Sequence, residues 1–125
     1  MAWSDDGMKE RADAVAALFD EVSLHTGDPG SSGTANEWSG GGYARQSPSY
    51  DAATIDGSTA VASLSSAMSF TGPANEDAAY VGLWGTGSVF LGSVARSGGD
   101  ASANAAGEYN VTKLDVTATG DIVAS

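Results

Sequence analysis

The sequence predicts a mainly β domain, a β-sandwich or jelly roll with one N-terminal α-helix. Two observations support this prediction. Short runs of alternating apolar and polar residues fill the second half of the chain, with Gly or Pro between most of them. One segment near the N-terminus has the apolar spacing of a helix. At 125 residues the chain has room for one core, so we predict a single domain over residues 1–125.

The helix is predicted over residues 8–21. Apolar residues recur there at steps of three and four, which places them on one stripe of a helix. They are Met8, Ala12, Val15, Phe19 and Val22. Ser4, Asp5 and Asp6 precede the stripe and can cap the free N–H groups of the first turn. We expect the stripe to pack against a sheet or a neighbouring subunit.

A strand and a long loop come next. Residues 22–26 alternate between apolar and polar side chains, and the turn sequence Gly27-Asp28-Pro29-Gly30 follows them. Residues 27–50 are rich in Gly, Ser and Asn, which predicts a long surface loop. Trp38 and Tyr43 are expected to anchor this loop.

The remaining strands are short and lie between residues 60 and 124. They are predicted at 60–64, 68–71, 80–84, 89–94, 108–118 and 121–124. Large apolar side chains are few for a domain of this size, so the core of one copy is thin. Burial of surface between copies would compensate, which favours a symmetric homo-oligomer.

The charge is strongly negative. Sixteen acidic residues against five basic ones give a net charge of −11. Nucleic acid is excluded as a partner, because the five cations are scattered and form no basic patch. Molar salt screens the self-repulsion of such a chain, and the composition is rich in small residues and poor in lysine. We interpret this as adaptation to brine, with an ordinary acidic mesophilic protein as the alternative.

No enzyme site is predicted. Cysteine is absent, which excludes disulfides, thiolate metal sites and a thiol nucleophile. A Ser-His-Asp hydrolase would need His25, the single histidine, beside a carboxylate and a serine, but the nearby Asp28 is explained by the turn. No Gly-x-Ser-x-Gly elbow and no phosphate-binding loop occur. A hydrogen-bonded histidine at a strand end is the simpler interpretation.

No cofactor is predicted either. The acidic pairs Asp5-Asp6 and Glu76-Asp77 could donate to a divalent cation, but neither lies in an ordered calcium-loop pattern. A bound divalent cation therefore stays an alternative without assigned ligands. No run approaches the length of a membrane span, so we expect no membrane partner and no export signal.

Aromatic residues in and beside the long loop are the best candidates for contacts with a partner. Trp38, Tyr43 and Tyr50 could stack on the sugar rings of a host surface glycan, or they could hold the loop to the sheet. The second role is the simpler one. Arg45 is available to pair with an acidic residue or to contact a partner.

Two stretches resemble a known family. Residues 22–30 (VSLHTGDPG), with Ala35-Asn36-Glu37 and residues 39–46 (SGGGYARQ), form the first, and residues 81–92 (VGLWGTGSVFLG) form the second. They are similar to short proteins of tailed viruses that are labelled tail fibre, minor tail or head decoration proteins. With the acidic composition, this resemblance suggests a tailed virus of a halophilic archaeon.

The resemblance implies a non-enzymatic virion structural protein. Among these roles we favour a capsid decoration or a vertex turret or spike on the head surface, in contact with the major capsid protein, because a compact domain without coiled-coil heptads or fibrous repeats suits a decoration better than a long fibre. The homo-oligomer could be a trimer or a pentamer. The alternative is a tail or tail-fibre protein that binds a host surface glycan or glycoprotein. For the motif residues it implies architecture: residues 27–30 would shape a turn and Gly40 to Gly42 would allow close backbone approach.

Overall fold

The computed structural model describes residues 2–125. They form a helix, α1, and nine strands, β1 to β9, in an order that starts with the helix. The helix spans Asp5–Ala16. The strands span Glu21–His25 (β1), Thr54–Asp56 (β2), Thr59–Ala62 (β3), Met68–Thr71 (β4), Tyr80–Gly85 (β5), Val89–Ala95 (β6), Glu108–Val111 (β7), Leu114–Thr117 (β8) and Ile122–Ala124 (β9).

The strands form antiparallel sheets. Their orders are β1-β5-β6, β2-β3-β8-β9 and β4-β7. In the first sheet, Glu21 lies opposite Trp84 and His25 lies opposite Tyr80. The prediction of a mainly β fold with one helix near the N-terminus is confirmed, and the antiparallel sheets agree with a β-sandwich.

One cluster of buried apolar side chains joins the sheets and the helix. Val22 and Leu24 of β1 enter it from the first sheet, and Ala62 and Val116 enter it from the second. Ala12 and Ala16 bury one side of α1, which packs mainly on β3. Small alanine side chains therefore allow close approach of helix and sheet where the chain has few large aliphatic residues.

The helix lies earlier in the chain than the predicted range 8–21. Its N-cap is Ser4, whose hydroxyl oxygen accepts a hydrogen bond from the Gly7 N–H at 3.0 Å. The helix ends at Ala16, and β1 already begins at Glu21. Phe19 and Val22 are both buried but lie outside the helix, so they continued the helical spacing by coincidence.

Two strand predictions also need correction. The predicted strand 108–118 is divided, because β7 pairs with β4 whereas β8 pairs with β3 and β9. Between them, Thr112 and Lys113 both donate their N–H groups to the Ser125 carbonyl oxygen at 2.9 Å. The short strand β2, which forms a hairpin with β3, was not predicted, because Thr54–Asp56 contains a single large apolar residue.

Candidate functional site

The chain between β1 and β2, residues 26–53, is called the long loop here. It lies along the free edge of β1, where isolated bridges join Val22 to Gln46 and His25 to Glu37. The Trp38 N–H also donates to the Leu24 carbonyl oxygen at 2.9 Å. Since β5 occupies the other side of β1, the long loop covers the edge that β1 would otherwise expose.

A buried chain of hydrogen bonds lies where the long loop meets the sheet. The Trp84 indole N–H donates to Ser23 Oγ at 2.8 Å, and Ser23 Oγ lies 2.7 Å from His25 Nε2. His25 Nδ1 lies 2.9 Å from the carbonyl oxygen of Ala35 in the long loop. A carbonyl can only accept, so Nδ1 carries the proton and Nε2 accepts from the serine hydroxyl. All three side chains are thereby satisfied with a neutral histidine.

Gly82 makes room for this arrangement. It lies directly opposite Ser23 in the pairing of β1 with β5. A Cβ atom at position 82 would collide with Ser23 Oγ and would lie 2.8 Å from His25 Nε2. The absence of a side chain at Gly82 therefore allows two polar side chains and the Trp84 indole to share one face of the sheet.

Burial keeps His25 neutral. Neither Ser23 nor His25 has solvent-exposed surface. Desolvation by this burial lowers the pKa of His25 below its ordinary value, and the charge of Arg45 acts in the same direction. The Ala35 carbonyl and Glu37 act in the opposite direction but do not outweigh burial. The neutral state agrees with the hydrogen-bond directions.

A half-buried ion pair closes the cluster on the loop side. Arg45 Nε and Nη2 donate to the two carboxylate oxygens of Glu37 at 2.9 and 3.0 Å. The Tyr43 hydroxyl donates to Glu37 Oε2 at 2.9 Å. Burial alone would raise the pKa of Glu37, but the hydrogen bonds from Arg45 and Tyr43 hold it below its ordinary value. Glu37 therefore stays charged at neutral pH.

Arg45 also connects the ion pair to the buried hydrogen-bond chain. Its guanidinium carbon lies 3.7 Å from the centroid of the Trp84 ring, a cation–π contact. The ring of Phe90 lies 5.1 Å from that of Trp84, centroid to centroid. We call the connected set the buried polar cluster. Its members are Ser23, His25, Glu37, Tyr43, Arg45 and Trp84.

The three aromatic residues predicted as partner contacts hold the long loop to the sheets. Trp38 is 3% exposed, and its indole N–H donates to the Asp77 carbonyl oxygen at 2.7 Å. Tyr43 stacks on Phe70, with a centroid separation of 6.5 Å. The Tyr50 hydroxyl donates to the Leu114 carbonyl oxygen at 2.8 Å. Burial raises the pKa of both tyrosine hydroxyls, so they remain protonated donors.

Three glycines bring distant segments together beneath Trp38. Added Cβ atoms at Gly41 and Gly107 would each collide with the backbone of Gly72, and one at Gly72 would lie 2.6 Å from the Trp38 ring. The Gly72 N–H also donates to the Gly107 carbonyl oxygen at 2.9 Å. Close backbone approach was expected for Gly40 to Gly42, and it occurs at Gly41. We call this meeting point the glycine contact.

Only part of the predicted site forms one cluster. Tyr43 and Arg45 meet at Glu37, and Trp38 packs edge-on against Tyr43 with ring centroids 6.0 Å apart. Tyr50 lies away from this cluster, against β8. Sequence reasoning missed Ser23, Gly82 and Trp84. The signal that could have found them is the two-residue spacing within a strand, which places Ser23 and His25 on one face of β1 and Gly82 and Trp84 on one face of β5.

The Ser23 and His25 side chains have the donor geometry of a nucleophile and base pair, but their surroundings differ from those of a hydrolase. The partner of Nδ1 is a backbone carbonyl rather than a carboxylate. Asp28, the carboxylate considered for this role, accepts from the Gly30 N–H at 2.8 Å within its turn. Burial of both side chains leaves no path by which a substrate carbonyl could reach Ser23 Oγ.

The surface carries a polar cleft of about 610 Å³ beside the paired strands β4 and β7. Its polar lining includes Thr71, Asp100, Asn104, Glu108 and Asn110. Over residues 2–125, no group of three or more His, Asp or Glu side chains is placed to hold a metal ion. Nor does any helix in that range have the length and apolarity needed to cross a membrane.

These features define a β-domain in which the polar and aromatic side chains of the motifs hold the chain together. The chain belongs to the family of the podophage GP4 fiber I protein gp80, whose family model matches residues 16–95. The match runs from the end of α1 to the end of β6 and includes every member of the buried polar cluster. No curated protein and no solved structure matches the chain.

Proposed function

We propose that the protein is a non-enzymatic structural component of a fibre on a tailed virus. The observation that carries this proposal is the family match, which spans the whole β1-β5-β6 sheet and the whole long loop. The family's named member is a phage fibre protein. A fibre module has to keep its shape outside the cell, and a loop held by ion pairing, buried hydrogen bonds and aromatic packing suits that need.

The absence of enzymatic activity is part of the proposal. It is supported by the full burial of Ser23 and His25, the only histidine. It is further supported by the use of Glu37 in an internal ion pair with Arg45. The side chains considered for catalysis therefore all have hydrogen-bond or ion-pair partners within the chain.

A capsid decoration or vertex turret is the second candidate. It is favoured by the form of the domain, in which the strands are short and the helix has 12 residues. Neither heptads nor fibrous repeats occur in the sequence, and both are common in long fibre shafts. In this role the domain would lie on the head surface against the major capsid protein.

For the fibre role, adsorption to a host surface glycan is a further part of the proposal. Trp38, Tyr43 and Tyr50 are engaged within the chain, so the polar cleft beside β4 and β7 is the better place for a sugar. Its amide, hydroxyl and carboxylate groups can hydrogen-bond to sugar hydroxyls. A halophilic archaeal host is proposed from the net charge of −11.

Immunogold labelling of intact virions in molar salt tests the proposal. Gold along the tail or its fibres is expected, and gold on the head would instead support the decoration role. Labelling of neither surface, with the protein found by immunoblot only in infected cells and never in purified virions, would overturn both candidates. An antibody against an unrelated cytoplasmic protein of the host serves as the control.

A further inference from the structure

Strand β6 is an open edge of its sheet. It spans Val89–Ala95, and within residues 2–125 it forms a strand ladder only with β5. After β6 ends, Arg96 makes an isolated bridge to Ala124 of β9. The opposite edge of the same sheet, β1, is covered by the long loop. The sheet therefore protects one edge and leaves the other, which is its longest strand, available for pairing.

Charge and proline, two of the usual protections of an exposed edge, are missing from β6. Natural edge strands carry lysine, proline, inward-facing charges or β-bulges that hinder pairing with another chain. β6 contains no proline and no charged residue, and the sequence has no charged residue between Asp77 and Arg96. A register shift opposite Leu83 and Trp84 leaves Leu91 outside the pairing and is the one irregularity in this edge.

Apolar side chains are exposed along the same edge. Val89 is 57% exposed and Leu91 is 46% exposed. Leu91 lies over Gly85, where an added Cβ atom would be 3.3 Å from Leu91 Cδ1. Val123, which is 39% exposed, belongs to β9, the strand that meets the end of β6. The edge thus combines unpaired backbone groups with apolar surface.

Charge indicates which partner fits this edge. Two copies of a chain with a net charge of −11 repel each other over most of their surfaces. A cationic partner would bind the acidic surfaces instead, because β6 has no negative charge with which it could pair. An uncharged edge is where two copies can meet without bringing carboxylates together. Two copies of one strand can also pair antiparallel about a two-fold axis. Each copy then contributes the same residues to the contact.

We propose that β6 is the surface through which two copies of this chain associate, by antiparallel pairing of β6 with β6 of the second copy. The paired strands join two three-stranded sheets into one of six strands. The Val89 and Leu91 side chains of each copy lose solvent-exposed surface in this contact. Such a two-fold contact differs from the trimer or pentamer considered from the sequence, whose interfaces would join different surfaces of neighbouring copies.

Sedimentation equilibrium in molar potassium chloride, with wild type and Leu91→Lys, tests the proposal. Wild type is expected to form a dimer, and lysine at the edge should raise the dimer dissociation constant at least about tenfold, because the contact loses apolar burial and would have to desolvate an ammonium group. Leu18→Lys is the matched control, because Leu18 is 58% exposed and lies outside β6. Circular dichroism checks that each variant is folded.

Cross-linking gives a second, independent measurement. The chain has no cysteine, so Ser93→Cys introduces a single thiol in β6, and a short bismaleimide reagent should link two copies. Ser66→Cys, on an exposed site between β3 and β4, should give no linked dimer. A wild type that stays monomeric at high concentration, or an oligomer unaffected by Leu91→Lys and unlinked at position 93, overturns the proposal. Virion labelling does not bear on this result.

Discussion

At the scale of single residues, the buried polar cluster depends on Gly82, which has no side chain. Ser23 and His25 lie on the face of β1 opposite the core residues Val22 and Leu24, and two polar groups buried there would normally be costly. Gly82 opposite them provides the space in which the Trp84 indole can donate to Ser23. Over residues 2–125, no buried side-chain nitrogen or oxygen lacks a hydrogen-bond partner.

Replacement of this glycine should therefore be costly. Gly82→Ala places a methyl group against Ser23 Oγ and His25 Nε2, and we expect it to lower the free energy of unfolding by about 1–3 kcal/mol. Chemical denaturation in molar salt measures the change. Gly92→Ala in β6 is the matched control, because an added Cβ there meets no described atom within 4 Å. Equal stability of the two variants would contradict the packing account.

Sequence reasoning could identify His25 as a structural histidine, but not its hydrogen-bond partners. Its Nδ1 partner, the Ala35 carbonyl, is a backbone group ten residues away that no side-chain pattern reveals. Ser23 and Gly82 meet only because β1 pairs with β5 in one register. Such pairings depend on tertiary structure, so a single sequence does not determine them.

At the scale of elements, the long loop functions as a cover for β1 that is attached through His25. The Nδ1–H group of His25 donates to Ala35 in the loop, while Nε2 accepts from Ser23 in the sheet. Protonation of Nε2 would replace that acceptor by a donor and leave the serine hydroxyl proton without its partner. The loop attachment therefore requires the neutral ring.

This attachment predicts a dependence of stability on pH. The pKa of His25 is lowered in the folded state, so the unfolded chain binds the proton more readily. The stabilisation from the neutral ring is complete above the unfolded pKa of about 6.5 and is lost as pH falls through the lower folded value. Glu37 remains charged in that window, because its pKa lies below its ordinary value.

Thermal unfolding at pH 7.5 and at pH 5, for wild type and His25→Gln, measures this effect. The variant should be less stable than wild type at pH 7.5, because glutamine does not reproduce both ring hydrogen bonds. The difference in unfolding midpoint should shrink at pH 5, because proton binding by His25 in the unfolded chain destabilises only the wild type. A difference that stays constant between the two pH values would show that His25 does not titrate on unfolding.

The elements themselves were predicted with uneven success. The Gly-rich composition predicted the long loop, and its aromatic residues indicated where it is held. The helix was placed too late because Phe19 and Val22 continue its spacing beyond the end at Ala16. β7 and β8 were joined because both alternate, and only their pairing with different sheets separates them.

At the scale of the whole molecule, a thin core must hold together a chain with a net charge of −11. The Debye length falls from about 10 Å in 0.1 M salt to about 3 Å in 1 M salt, so repulsion between surface carboxylates weakens strongly over that range. Many of the buried side chains are alanines, which contribute little apolar area each. We therefore expect folding to depend on salt more than in a protein of balanced charge.

The expected result is a thermal unfolding midpoint that rises as potassium chloride increases from 0.1 M towards molar concentrations. The variant with Asp20, Asp51 and Asp56 replaced by Asn is the matched comparison. These three residues are exposed, and their loss changes the net charge from −11 to −8. Its midpoint should be higher in low salt and should rise less steeply. An unchanged slope would indicate that salt acts through apolar burial rather than through charge.

The fold class followed from composition and strand spacing, whereas the arrangement of the sheets did not. The chain pairs β1 with β5 and β4 with β7, so partners are separated by long stretches of sequence. Alternation identifies a strand and its buried face but carries no information about its neighbour. The division of the nine strands among sheets therefore had to come from the structure.

The glycine contact has a consequence for the order of folding. Gly41, Gly72 and Gly107 come from three segments that lie far apart in the chain and meet without room for any side chain between them. The tip of the long loop has its final contacts only when the segments that hold Gly72 and Gly107 are also in place, and these are joined through β4 and β7. We therefore expect this part of the loop to become ordered late in folding, because its contacts join segments that are distant in the chain.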